Sequence, residues 1–277
     1  RLDVAVIVDQ PIGADVDYTA DGAYPLRGST AELTSTAVTA LVRYKMPSNV
    51  SVYGGLRAET VKGVVGLPLF GTYSLSTNND LAFGYVLGAA WERPDIMARV
   101  ALTYNSAITH TLDATESSVL GPSTGSFETE VPQSVNLEFQ TGISRKAQLL
   151  LFGSIRWQEW SAFEILPPGY SALGLGPLVS YNSDRVTYTL GLGKRFNENW
   201  SGAVTAAYEP SNGDITGNLG PTDGFTSLGV GVTYEKDNMK ITGGIRYIEI
   251  GDATTTIPAN FSDNSAVAAG VRIGFTF

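Results

Sequence analysis

The sequence predicts an all-β fold: an antiparallel transmembrane β-barrel of about twelve strands, forming a single domain over residues 1–277. Three observations predict it. Apolar residues alternate with small or polar ones at a period of two along most of the chain. Each alternating run lasts roughly nine to thirteen residues, close to a bilayer-crossing strand and longer than an ordinary one. The connections alternate short and long, as periplasmic turns and extracellular loops do in outer-membrane barrels.

The strands follow in order. The first starts near Leu2 and ends at Asp9-Gln10. Strands from near Thr34 and Val50 flank the turn Pro47-Ser48-Asn49, and strands from near Ala82 and Ile96 flank Arg93-Pro94-Asp95. In the latter, Val100, Leu102 and Tyr104 alternate with Arg99, Thr103 and Asn105. Strands from near Ser134 and Gln148 flank Arg145-Lys146, and those from near Val186 and Trp200 flank Asn197-Glu198-Asn199. Strands from near Gly224 and Met239 flank Lys236-Asp237-Asn238; there Leu228, Val230, Val232 and Tyr234 alternate with Ser227, Gly229, Gly231 and Thr233. The last strand, from near Ser265, sets Val267, Ala269, Val271, Ile273, Phe275 and Phe277 against Ala268, Gly270, Arg272, Gly274 and Thr276. One face meets oil and the other meets water. Only a closed barrel pairs every strand's backbone groups in lipid. Tyr44, Trp91, Phe196, Trp200 and Tyr234 near the short turns, and Tyr104, Trp157, Tyr188, Tyr208 and Tyr247 near the long loops, form two interfacial girdles.

Composition excludes several classes. The net charge of -9 disfavours nucleic acid. The absence of cysteine removes disulfide scaffolds, zinc ribbons and thiol enzymes. The uncharged stretches 63–79 and 165–183 are broken by Pro and Gly, so no helix spans a bilayer. The single histidine, His110, lies among threonines at a strand end and does not make a hydrolase. Asn78-Asn79-Asp80, or Asp214 with Asp223, lacks the spacing of a calcium loop. No catalytic residue, metal or cofactor is expected, and no feature sets an oligomeric state.

The long loops are 10–33, 62–81, 111–133, 161–184, 209–223 and 250–264. With Phe277 and Arg1 periplasmic, all of these face outward from the cell. They concentrate the acidic residues and hold only Arg27 and Lys62 as bases. That acidity is either a solvated loop surface or a divalent-cation bridge to anionic lipopolysaccharide. Loop 62–81 carries Val64, Val65, Leu67, Leu69, Phe70 and Tyr73, an apolar surface that needs a partner. Loop 111–133 offers Val119, Leu120 and Phe127. Loop 161–184, with Ile165, Leu166, Tyr170, Leu173, Leu175 and Leu178, is suited to folding inward over the lumen. By parity Arg43, Arg57, Arg99, Arg156, Arg195, Arg246 and Arg272 face the lumen with Glu59 and Glu138. They form a stiffening salt-bridge network, or one of them meets a ligand carboxylate.

Asp9-Gln10-Pro11-Ile12-Gly13, followed by Tyr18, resembles the Pro-x-Gly interruption of the FadL-like long-chain fatty acid transporters, the OMPP1/FadL/TodX family. Thr39-Ala40-Leu41-Val42-Arg43-Tyr44-Lys45, then Val52-Tyr53-Gly54-Gly55-Leu56-Arg57, is similar to that family's strand–turn–strand stretch. So are Arg99 to Ser106, Pro132 to Val135, and Thr187 to Gly193 with Phe196. A terminal Phe277 resembles the signal read by the outer-membrane insertion machinery.

The resemblance implies a 14-stranded barrel of the bacterial outer membrane in which residue 1 aligns with the third strand. The hatch with its Asn-Pro-Ala motif and two strands would then lie upstream. It implies passive uptake of a hydrophobic small molecule or fatty acid, without catalysis. The ligand-binding groove would use Val65, Leu67, Leu69, Phe70, Val119 and Leu120. Pro11 and Gly13 would break pairing in the first strand to form a lateral gate into outer-membrane lipid. Arg57, Arg99, Arg246 and Arg272 would line the lumen. A general diffusion porin and a structural or receptor barrel are the competing readings.

Overall fold

The computed structural model describes residues 1–18, 24–68 and 72–276. The first half of the chain forms β1 (Leu2–Asp9), β2 (Gly13–Asp17), β3 (Thr30–Lys45), β4 (Val50–Leu67), β5 (Tyr73–Thr77), β6 (Asp80–Arg93) and β7 (Ala98–Asn105). Next come β8 (Ile108–Ser118), β9 (Gly121–Val131), β10 (Ser134–Ser144), β11 (Leu149–Gln158), β12 (Glu164–Ile165), β13 (Val179–Ser180) and β14 (Arg185–Arg195). The chain closes with β15 (Trp200–Glu209), β16 (Ile215–Thr216), β17 (Phe225–Lys236), β18 (Met239–Ile250), β19 (Ala253–Thr255), β20 (Asn260–Phe261) and β21 (Asn264–Phe275).

β1 and β2 pair end to end with the same neighbour, β3, and act as one wall strand. The antiparallel wall then runs β3, β4, β6, β7, β10, β11, β14, β15, β17, β18, β21. With β1/β2 this makes the expected twelve, each starting within a few residues of its expected position.

Because side chains alternate across a strand, register fixes which face each residue takes. Val230 pairs with Ile245 and Ile241 with Ile273, all on the outer face. Val271 is 75% exposed there. Thr39, Ser51, Ala101 and Ser227 face inward and are buried. Arg246 and Arg272 share the inner face, opposite Ala268 and Thr242. So broad an outward apolar surface demands an apolar surrounding. Near the short turns Trp200 stacks on its cross-strand partner Tyr234 at 4.9 Å; near the long loops Tyr85 and Tyr104 lie 5.9 Å apart. Inside, the Phe152 ring occupies the space over Gly191, where a Cβ would come within 2.3 Å of it.

The long-loop end differs from the sequence expectation. Segments 62–81 and 111–133 are mostly strand rather than loop. β4 continues to Leu67, β5 pairs with it, and β8 pairs with β5 and with β9, so a β4-β5-β8-β9 ladder rises above the wall. Segment 161–184 packs against this ladder through a helical turn at Pro168–Ser171 and the β12–β13 pair, which sets Ile165 against Val179. Tyr170 and Leu178 are buried there with Leu67, Tyr73, Leu112 and Phe127.

Candidate ligand cavity

Pairing along the first wall strand stops after Asp9, which faces Ala37, and resumes at Gly13, which faces Thr34. Gln10, Pro11 and Ile12 thus stand against only Ser35 and Thr36. Pro11 has no N–H to donate, and the extra residue makes a bulge. The bulge reverses the alternation. Ile7, opposite Thr39, faces inward in β1, whereas Ala14 and Val16, opposite Leu33 and Ala31, face inward in β2. Ile12 turns inward and packs with Val61, Ile108, Val131 and Phe163. Its N–H donates to Ser35 Oγ at 3.1 Å, and the Ser35 hydroxyl donates to the Ile12 carbonyl. Both backbone groups of Ile12 are therefore satisfied. The interruption ends one residue earlier than the sequence reading placed it: Gly13 is already paired and does not adopt a left-handed φ. Pro11 and the surplus residue, not glycine freedom, make the break.

The break opens onto a cavity of about 280 Å³ beneath the long-loop ladder. Pro11, Ile12 and Gly13 form one side and Val65 of β4 another. Leu112 and Phe127 of the β8–β9 hairpin roof it, and Trp160, Phe163 and Tyr181 close the far side. These three rings pack together, Trp160 lying 5.2 Å from Tyr181 and 5.7 Å from Phe163.

The structure thus brings Val65 together with Pro11 and Gly13, but places Leu67, Val119 and Leu120 elsewhere. Leu67 is buried behind the cavity with Tyr73, Leu112 and Tyr170 and does not line it. Leu69 and Phe70 lie outside the described residues. Val119 and Leu120 form the two-residue tip of the β8–β9 hairpin, turned by Gly121 at φ 96°, and are 66% and 67% exposed. Leu112 and Phe127, a directly opposed pair on the hairpin's inner face, take the place assigned to them. The alternation Ile108, His110, Leu112, Ala114, Glu116 carried this signal, but His and Glu at two inward positions disguised it.

Three polar anchors hold the ladder and its loops. Glu116, buried, accepts from Tyr73 Oη at 2.7 Å, Gly169 N at 2.6 Å and Tyr170 N at 2.8 Å, joining β5, β8 and the helical turn. Burial and that carboxylate push the Tyr73 phenol above its ordinary value, which keeps it a donor. Asp80 Oδ2 lies 3.0 Å from His110 Nδ1. Arg185 Nη1 donates to Asp223 Oδ1 at 2.7 Å. Burial opposes ionisation of Asp223, but donors from Asn212, Ser211, Arg185 and Gly213 outweigh it and bring its carboxyl down to about 2.

Below, a cavity of about 550 Å³ has Arg57, Arg99, Arg43 and Glu138 among its lining residues. Arg57 Nε donates to Thr39 Oγ1 at 3.0 Å. Arg43 pairs with Asp3 at 2.7 Å, and Glu92 draws in Arg43, Lys45 and Arg99. Arg43 and Arg99 thus share a network with Glu92, whereas Arg246 and Arg272 make no ion pair among the described residues. Among the described residues no cluster of three or more His, Asp or Glu is arranged to hold a metal.

Three solved structures share this architecture. A Pseudomonas aeruginosa FadL homologue superposes with a TM-score of 0.71 at 15% identity, over 99% of this chain and 73% of its own. The Pseudomonas putida toluene transporter TodX gives 0.66 at 12% identity, over 99% and 78%. The Ralstonia pickettii toluene transporter TbuX gives 0.66 at 15%, again over 99% and 78%. No curated protein matches the sequence. The family model described as outer membrane protein transport protein (OMPP1/FadL/TodX) matches residues 1–276, and the chain belongs to that family.

Proposed function

We propose that this protein takes up hydrophobic molecules passively across the outer membrane, capturing them in the cavity and releasing them sideways through the break at Gln10–Ile12. One observation carries the reading: Pro11, Ile12 and Gly13 belong both to the interrupted wall strand and to the cavity lining. An apolar molecule held there lies beside the wall's weakest point. Moving from it into lipid costs little, whereas a water-filled pore would expose its apolar surface. The long-loop end would face outside the cell, and its acidic residues would meet lipopolysaccharide through divalent cations. Long-chain fatty acids and aromatic hydrocarbons are both candidate cargo. The cavity is at the small end of ligand sites, which suits a compact molecule or one segment of a chain.

The test pairs two measurements, conductance of the protein in planar bilayers and uptake into lipid vesicles that contain it. Saturable uptake of a hydrophobic probe with low ionic conductance supports this function. Large conductance with unsaturable passage of sugars would instead make it a diffusion porin.

A further inference from the structure

The lining of the capture cavity combines aromatic rings with one cationic side chain. Phe127 stands in the roof, and Trp160, Phe163 and Tyr181 close the far side. Trp160 meets Phe163 and Tyr181 edge to face, at interplanar angles of 71° and 62°. Such a cluster suits a flat aromatic guest, which gains ring-to-ring contacts that an acyl chain lacks. The volume of about 280 Å³ suits a compact one.

Arg156 and Gln158 of β11 also line the cavity. They lie two residues apart and so share a face of the strand. Arg156 is exposed, and its register partners, Asn136 and Thr187, carry no charge. Arg43 and Arg99 have carboxylates beside them, Asp3 and Glu92, whereas Arg156 makes no ion pair among the described residues. Arg57, which lines the lower cavity, comes near enough to repel it. Glu59, two residues beyond Arg57, gives neither arginine relief: it is fully buried, and both its oxygens are unmatched among the described residues. The lumen side of the aromatic cavity therefore carries uncompensated positive charge. A guanidinium fork is accessible there, and a carboxylate is the anion it fits best.

We propose that the cavity takes a compact aromatic carboxylic acid, its ring against Trp160, Phe163 and Tyr181 and its carboxylate on Arg156. The proposal rests on the cavity being the capture site. A hydrocarbon leaves the cation without a partner, and a linear acid matches the charge but not the rings.

p-Toluate and p-xylene share a ring and differ by a carboxylate in place of a methyl. Octanoate has as many carbons as p-toluate and the same charge, without the ring. Affinities of the three at pH 7 for the full chain in zwitterionic lipid nanodiscs, after subtraction of empty nanodiscs, test the proposal. The wild type is expected to bind p-toluate about tenfold more tightly than either of the others. Arg156→Met, which keeps an unbranched stem and removes the charge, should abolish the preference for p-toluate over p-xylene, and Arg156→Lys should keep part of it. Octanoate binding as tightly as p-toluate overturns the proposal, and so does a preference over p-xylene that survives in Arg156→Met. If p-xylene binds as tightly as p-toluate or better, the capture site stands and the acid assignment falls. If none of the three binds, the capture site falls with it.

Discussion

Ile12 and Ser35 satisfy one another across the break in the first wall strand. The Ile12 N–H donates to Ser35 Oγ at 3.1 Å, and that hydroxyl donates back to the Ile12 carbonyl. One side chain thus replaces the ladder bonds that Ile12 loses, and it does so in a buried place. Ser35→Ala should leave both backbone groups unpaired, at a local cost of about 1–3 kcal/mol. Amide exchange at Ile12 should quicken while β3 beyond Ala37 is unchanged. Identical exchange in the two proteins would mean that something other than Ser35 holds the break.

Glu116 should be a local keystone. Its oxygens accept three donors from two other segments, and Glu116→Gln turns an amide N–H₂ toward at least one N–H. A loss of about 2–3 kcal/mol is expected for a buried charge-assisted cluster. The damage should stay in the loops. Limited proteolysis should cut within 161–184, while the wall resists heat in detergent as before. Cleavage unchanged from wild type would refute the keystone role.

The Asp223–Arg185 anchor predicts an acid limit. The folded carboxyl titrates at about 2, below its ordinary value of 3.8. A depressed carboxylate stabilises above the unfolded value, and that contribution fades as pH falls from about 3.8 through about 2. Segment 209–224 should therefore stay anchored from pH 7 down to about 4 and loosen only below it. Asp223→Asn should show the loosened state at pH 7, read by fluorescence from a label at Asn212. A transition near neutral pH in the wild type would contradict this.

Val271 and Arg272 test the wall itself. Val271 faces out and pairs with Gly243; Arg272 faces in and pairs with Thr242. Val271→Arg should cost about 2–4 kcal/mol near the bilayer midplane, measured by reversible unfolding in lipid vesicles, and Arg272→Gln should cost far less. Comparable losses would put the assigned faces in doubt.

The wall was legible because lipid and lumen impose opposite chemistry on alternate residues, so Val267 to Phe275 announces its faces without help from neighbours. The ladder above it was not. Its strands meet protein on the inner face and water on the outer, and His110 and Glu116 sit inward because each has a tertiary partner, Asp80 and Tyr73. Those partners are distant in sequence, and so are the rings of Trp160, Phe163 and Tyr181 that complete the cavity. Pro11 signalled the break. The surplus residue did not, because a bulge appears only when the partner strand is counted.

That count decides how the lateral route should be tested. Replacing Pro11 and Gly13 by valine restores an N–H at position 11 but leaves three residues against Ser35 and Thr36. The bulge, and with it the reversed alternation, should survive. Space permits the change at Gly13, where a Cβ would meet only the Leu33 carbonyl oxygen, at 3.4 Å. Deleting Gln10 together with Pro11→Val leaves two residues against two and allows an unbroken ladder. Ala14 and Val16 would keep their inward faces opposite Leu33 and Ala31, and Ile12 would enter the ladder opposite Ser35, so the gap closes without turning the residues beyond it. The deletion variant should therefore insert into the membrane, retain Leu112 and Phe127 over the cavity, and release a hydrophobic probe into lipid at least tenfold more slowly. The double valine variant should release it at close to the wild-type rate. A deletion variant with amide protection across positions 9–13 and undiminished uptake would rule out exit through this opening.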